Sequence, residues 1–232
     1  MDLALHIGDL ILFQGDSITH AFRQPDEVGT SYQLGAGYAM LIAAQLQAER
    51  PDLQLRYENR GACGDRLSEM IARWPQDCLE LQPDVISIMI GVVDTLTQVQ
   101  NGGGAAGDTF EHDYRQLLVR TLEALPAVRL VLVEPFLLSC GAITPDHLAN
   151  LRPRQHAVRR VAEEFDAVFV PLQDALEEAA EDTGPAYWLF DGIHPNAAAQ
   201  WLIARQWLRA TGLVTEEEFP LDSMLPSSPS RL

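Results

Sequence analysis

Leu10-Ile11-Leu12-Phe13-Gln14-Gly15-Asp16-Ser17-Ile18-Thr19 opens on four consecutive apolar residues and runs into Gly, Asp and Ser. A short apolar run bounded by turn formers reads as a buried strand. The serine then stands at the strand's carboxyl end, with its oxygen exposed and its amide free to point at an incoming acyl oxygen. The same residues also suit an ordinary strand-to-helix turn. On this segment alone both readings stay open.

Working outward, four further runs read as strands: Leu53 to Glu58, Val85 to Ile90, Val128 to Val133 and Ala167 to Val170. Between them lie helical spacings. Tyr38, Leu41, Ile42 and Gln45 form one, and Leu67, Met70, Ile71 and Trp74 another. The stripe Tyr114, Leu117, Leu118, Thr121, Leu122 and Leu125 has Asp108 ahead of it as an N-cap, and Val158, Val161, Ala162 and Phe165 give the next. A last helix is expected from Pro195, a residue suited to the first helical position, to about Ala210. Strand-helix alternation of this kind predicts a parallel sheet covered on both faces, with right-handed crossovers. Ligands then bind beyond the carboxyl ends of the strands. The expected architecture is a flavodoxin-like three-layer α/β/α sandwich with five parallel strands. One domain is expected over residues 1–220, followed by a mobile tail from Leu221 to Leu232 that contains Pro-Ser-Ser-Pro-Ser.

Composition narrows the function. With 232 residues and 47% hydrophobic side chains, the chain supports one globular domain with a substantial core. Its 16 basic against 33 acidic residues give a net charge of −17, which disfavours phosphate backbones and anionic lipid. Neither a nucleic acid nor a membrane partner is expected. All 16 basic residues are arginine. Without lysine there is no Schiff base, no pyridoxal phosphate anchor and no P-loop. Cys63, Cys78 and Cys140 form no C-x-x-C pair and read as small buried thiols in a reducing compartment. The N-terminal residues lack the pattern of a secretory signal, and no apolar run reaches membrane-spanning length, so the expected location is cytoplasmic.

Asp191-Gly192-Ile193-His194-Pro195 supplies what a serine nucleophile needs. A base must take the serine proton, and a carboxylate must orient that base. Asp and His three apart, in a loop ahead of a helix, place carboxylate and imidazole side by side. His6, His112, His147 and His156 have no such neighbours and read as surface residues, while His20 stands three residues after Ser17. Tyr187, Trp188 and Phe190 precede Asp191 and suit either an apolar wall or platform for a sugar ring, or packing against the last helix.

Two more segments fall at strand ends: Asn59-Arg60-Gly61 and Gly91-Val92-Val93-Asp94. Taken together, Gly15 to Thr19, Leu34 to Tyr38, Asn59 to Gly64, Ser87 to Gly91 and Asp191 to Pro195 resemble, in order, the blocks of the SGNH (GDSL-type) hydrolases. The match is closest to the subgroup containing bacterial acetylxylan esterases, and it extends from about Leu10 to Leu213. The resemblance implies Ser17 as nucleophile, His194 as base and Asp191 as its orienter. It implies the amides of Ser17 and Gly61 as oxyanion donors, Asp16 beside the substrate, and self-association into a homo-oligomer. The family's third donor is an Asn side chain, and that position is Val93 here. Thr95-Leu96-Thr97 replace the aromatic and basic residues that follow it in the family.

Gly102 to Gly107 satisfies G-x-G-x-x-G, yet it follows the third strand at a distance and has no acidic partner downstream. It reads as a flexible loop, with a lid over the site as one use. No residue spacing forms a metal site, and serine esterase chemistry needs neither metal nor cofactor. The expected activity is hydrolysis of short-chain esters, acetyl above all, on carbohydrates such as xylo-oligosaccharides, through an acyl-enzyme. The alternative is a catalytically impaired carbohydrate-binding or scaffolding protein that retains the fold.

Overall fold

Residues 3–103 and 109–214 are described by a computed structural model. The strands are β1 Leu10–Gly15, β2 Arg56–Asn59, β3 Val85–Met89, β4 Arg129–Val133 and β5 Val168–Val170. The helices are α1 Ser17–His20, α2 Tyr38–Glu49, α3 Leu67–Asp77, α4 Val92–Gln100, α5 Phe110–Ala124, α6 Pro145–Glu164, α7 Gln173–Ala180, α8 Pro185–Trp188 and α9 Ala197–Ala210. All strand pairs are parallel, in the order β2-β1-β3-β4-β5. That is the flavodoxin-like order, and it puts the ends of β1 and β3 side by side at the switch point where such sheets bind ligands.

Alternation along the strands divides the core into two layers. Ile11, Phe13, Val85, Met89, Val131 and Val133 face one way and pack with Tyr38 and Ile42 of α2 and Ile203 and Trp207 of α9. Leu12, Ile86, Ile88, Leu130 and Leu132 face the other way, onto Met70 and Trp74 of α3, Tyr114 of α5 and Val158 of α6. Phe13 meets Tyr38 edge-on, with ring centroids 5.8 Å apart, and lies 6.1 Å from Trp207. Ser87, buried in the central strand, accepts a hydrogen bond from Trp207 Nε1 at 3.0 Å. A polar atom in the core is thereby matched to the one polar atom of the indole.

Several sequence expectations shift. Pro51–Leu53 form a 3-10 turn closed by Gln54 at φ 47°, so β2 starts at Arg56 rather than Leu53. Asn196, not Pro195, begins the last helix: its side chain accepts from the Ala199 amide, while Pro195 bridges to Leu189. The α4 helix was not legible, because only Val92 and Thr95 of its nine residues are buried. Of the cysteines only Cys78 is buried, Cys63 is exposed, and all three are free. Asp108, residues 104–107 of the Gly102–Gly107 loop read as a lid, and the tail 221–232 read as mobile lie outside the described residues. No described helix is long and apolar enough to cross a membrane.

Ser87→Ala keeps the shape of the core and strands the Trp207 N–H without an acceptor. The unfolding free energy in urea is expected to fall by about 1–3 kcal/mol. An unchanged midpoint would show that this bond contributes nothing.

Candidate active site

At the end of β1 the chain has no room to continue. A Cβ on Gly15 would lie 2.3 Å from Thr19 Oγ1 and 2.4 Å from the Met89 carbonyl oxygen, so only glycine is accommodated there. The chain turns at Asp16, whose Oδ1 accepts from the Ile18 amide at 2.9 Å, and Ser17 opens the single turn of α1. Ser17 is half-buried at the rim of the sheet.

The partners of Ser17 arrive from far along the chain. His194 Nε2 lies 3.0 Å from Ser17 Oγ, and His194 Nδ1 lies 2.7 Å from Asp191 Oδ2. A carboxylate accepts only, so Nδ1 carries a proton, and in the neutral tautomer Nε2 is the acceptor that faces the serine hydroxyl. Asp191 Oδ1 accepts from the amides of Ile193 at 2.9 Å and His194 at 2.8 Å. Burial alone would push the Asp191 carboxyl up, but the His194 hydrogen bond and those two amides outweigh it and hold it below its ordinary value. Ser17, His194 and Asp191 thus form one unbroken relay.

The Asp191 loop is held from below by the segment after β4. A Cβ on Gly141 would fall 2.5 Å from the Asp191 carbonyl oxygen, and one on Gly192 would fall 2.6 Å from that of Cys140. Gly141 (φ 58°) and Gly192 (φ 87°) let the two backbones touch, and Leu138 N donates to Gly192 O at 3.1 Å.

Gly61 does not stand as an oxyanion donor. Its buried amide donates to Asn59 Oδ1 at 2.9 Å, and its missing Cβ makes room for the His20 amide, 2.4 Å from where that atom would be. Asn59 uses its Nδ2 for the carbonyls of Thr19 and Leu34, both at 2.7 Å, so the Asn-x-Gly unit locks β2 to α1. Gly64, in the same N-x-G-x-x-G string, is exposed at φ 81°, and its amide has no acceptor among the described residues. The string itself carried this signal in its second glycine. Val93 lies in the first turn of α4, half-buried, with no side-chain donor.

Asp16 does not meet substrate either. It is 1% exposed and turned inward to cap α1. Burial, opposed by the Ile18 amide and reinforced by Asp94, raises its pKa to about 7. His20 turns away from the serine, its Nδ1 accepting from the Phe22 amide at 3.2 Å. Phe190 is 68% exposed and stacks on the His194 ring at 6.2 Å and 21°. Tyr187 is exposed, whereas Trp188 is partly buried against the core and donates to Thr183 Oγ1 at 2.8 Å. Of the three aromatics, then, Phe190 contacts the triad. Among the described residues no group of three His, Cys, Asp or Glu side chains is placed to hold a metal ion.

Residues 13–202 match the profile of the GDSL-like lipase/acylhydrolase family. An acetylxylan esterase from Geobacillus stearothermophilus is 33% identical over 211 residues, which span 88% of this chain and 94% of that protein. Among solved structures, a protein from Parabacteroides merdae assigned to the GDSL-like lipases superimposes with a TM-score of 0.87 at 38% identity, covering 92% of this chain and all of the other. A variant of Axe2, an acetyl xylan esterase from Geobacillus stearothermophilus, gives a TM-score of 0.81 at 31% identity, covering 91% and 98%. Axe2 has also been solved as catalytic mutants in which an aspartate, a histidine or a serine is replaced by alanine.

Asp16 generates a pH signature. The folded protein keeps a proton on this carboxyl up to about pH 7, whereas the unfolded chain releases it near 3.8. The native state therefore binds the extra proton, and stability falls as pH rises between those values. Asp16→Asn keeps the cap and removes the titration. Urea unfolding at several pH values should show the wild type losing stability relative to Asp16→Asn from pH 4 to pH 7, and a constant difference would contradict the assignment.

Proposed function

This chain belongs to the GDSL-like lipase/acylhydrolase family and is a carboxylic ester hydrolase; from that premise we propose that it removes acetyl groups from carbohydrate through an acyl-enzyme on Ser17. The relay from Asp191 through His194 to Ser17, with contacts of 2.7 and 3.0 Å, is the observation that carries the reading. Ser17 Oγ attacks the ester carbonyl carbon while His194 Nε2 takes its proton. Asp191 stabilises the imidazolium, which then protonates the leaving alcohol. Water, deprotonated by His194, attacks the acetyl-serine; acetate departs and the proton returns to Ser17.

The tetrahedral oxygen needs donors. The Ser17 amide is one, and the Gly64 amide, exposed and without an internal acceptor, is the second. Val93 leaves the third place without a hydrogen bond, which lowers turnover by roughly 10²–10³ relative to a complete hole.

Two features support carbohydrate as the alcohol. The relatives named acetylxylan esterases cover nearly the whole chain. Beside the site, a cleft of about 280 Å³ is lined by Arg66, Ser68, Asp94, Thr97, Gln98 and Asn101 among others. One of its walls begins just beyond Gly64 and another just beyond Val93. Hydroxyls, amides and charges of this kind suit a polyol better than a fatty chain. Phe190 offers the sugar an exposed ring face. Acetylated xylo-oligosaccharides are accordingly the proposed substrates. The gap at Val93 favours a second reading, a saccharide-binding protein with little turnover.

Released acetate from acetylated xylo-oligosaccharides, with Ser17→Ala as control, separates the two. Acetate release that disappears in Ser17→Ala supports the esterase; saccharide binding without acetate release supports the alternative. Val93→Asn is expected to raise kcat by roughly 10²–10³ with little change in KM, because the added donor acts on the transition state. An unchanged kcat in folded Val93→Asn would mean that position 93 does not face the oxyanion.

A further inference from the structure

Arg73 sits on α3, outside the triad, and reaches three segments that meet at the carboxyl end of the sheet. Its Nε donates to Asp65 Oδ2 at 2.7 Å. Nη1 lies 2.8 Å from the Arg60 carbonyl oxygen, 2.8 Å from Gln14 Oε1 and 3.1 Å from Asp77 Oδ2. Nη2 donates to the Gly15 carbonyl at 3.3 Å. Gln14 and Gly15 are the last residues of β1 before the Asp16-Ser17 turn. Arg60 and Asp65 bracket the loop that contains Gly61 and Gly64. One guanidinium therefore ties the strand that presents the nucleophile to both ends of the neighbouring loop.

Backbone bonds join the same segments. Arg60 N donates to Phe13 O at 2.8 Å, and Ala62 N donates to Gly15 O at 3.0 Å. The Gly15 carbonyl thus accepts from the loop and from Arg73 together. Around the guanidinium the charges are matched. Arg60 lies 3.5 Å from Glu58 and 3.7 Å from Asp77, and Arg23 Nε donates to the Gly61 carbonyl at 2.9 Å. The Arg73 side chain is only 20% exposed, so solvent screens these contacts less than at an open surface.

We propose that Arg73 is a positioning residue for ester hydrolysis: it fixes the 60–65 loop, and with it the loop amide that meets the oxyanion, relative to Ser17. The role in turnover rests on the esterase reading above. Arginine is required by geometry. Its planar fork spreads five N–H groups in three directions, whereas a lysine ammonium gathers its donors at one point and does not span Asp65, Arg60 O and Gly15 O together. A donor displaced by about 1 Å costs on the order of 100-fold in rate.

Arg73→Lys keeps the charge and removes the fork. With a soluble acetyl ester, and rates expressed per titrated active site, kcat is expected to fall about 100-fold with KM within about threefold. The midpoint of the pH profile should stay that of the wild type, since the His194–Asp191 pair is untouched. Amide hydrogen exchange should quicken over residues 60–65 while β1 and β3 keep their protection. Should Arg73→Lys fail to fold, Asp65→Asn removes a single anchor and is expected to move both readouts in the same direction by less. A residue that only stabilises the fold would lower the unfolding midpoint and leave kcat of the folded protein intact; that result overturns the proposal. So does unchanged exchange over 60–65, whatever the rates. A wild-type protein that hydrolyses no ester overturns the esterase reading instead, and the exchange data still decide whether Arg73 holds the loop.

Discussion

Gly15 ends a strand in a space that admits no side chain, and its carbonyl accepts hydrogen bonds from Ala62 and Arg73. This crowding at the junction of β1, β3 and α1 dictates where the backbone turns. The turn lifts Ser17 out of the sheet plane while Asp16 is driven inward as a buried cap. The fold then has to deliver a base to a serine whose place is already set. It does so with a loop 177 residues away, held by the contact between Gly141 and Asp191. Each member of the proposed triad is placed by backbone packing, and the side chains complete what the backbone has fixed.

The division of labour among the carboxylates follows from their surroundings. Asp191 receives two amides and an imidazole N–H, so it stays ionised and can support the imidazolium. Asp16 differs in kind: it is buried, accepts from the Ile18 amide and feels the charge of Asp94, so it holds its proton far above the usual range. Below about pH 7, where Asp16 keeps its proton, the negative charge near His194 is concentrated on Asp191. The arginines at the other side of Ser17 are matched by Glu58, Asp65 and Asp77 and serve geometry there.

Much of this was legible in the chain. The apolar runs ahead of Gly15, Asn59 and Gly91 marked the strands, and Gly-Asp-Ser with Asp-x-x-His marked the three side chains that meet, because strand ends and short turns leave local patterns. What escaped reading depends on tertiary contact. Gly61 and Gly64 look alike in the string Asn-Arg-Gly-Ala-Cys-Gly, and only the Asn59 side chain decides which amide remains free. Asp16 looks like a site residue until its burial is seen. The α4 helix buries too little to leave a stripe, and Arg73 looks like any arginine on an amphipathic helix until its acceptors are counted.

The central claim is that Ser17 is the nucleophile and that His194 activates it. An organophosphonate probe followed by peptide mass spectrometry tests this most directly, since attack on phosphorus leaves a stable adduct on the attacking oxygen. The account requires the adduct on Ser17 in the wild type and its loss in His194→Ala. An adduct on another residue, with Ser17 unmodified, would contradict it.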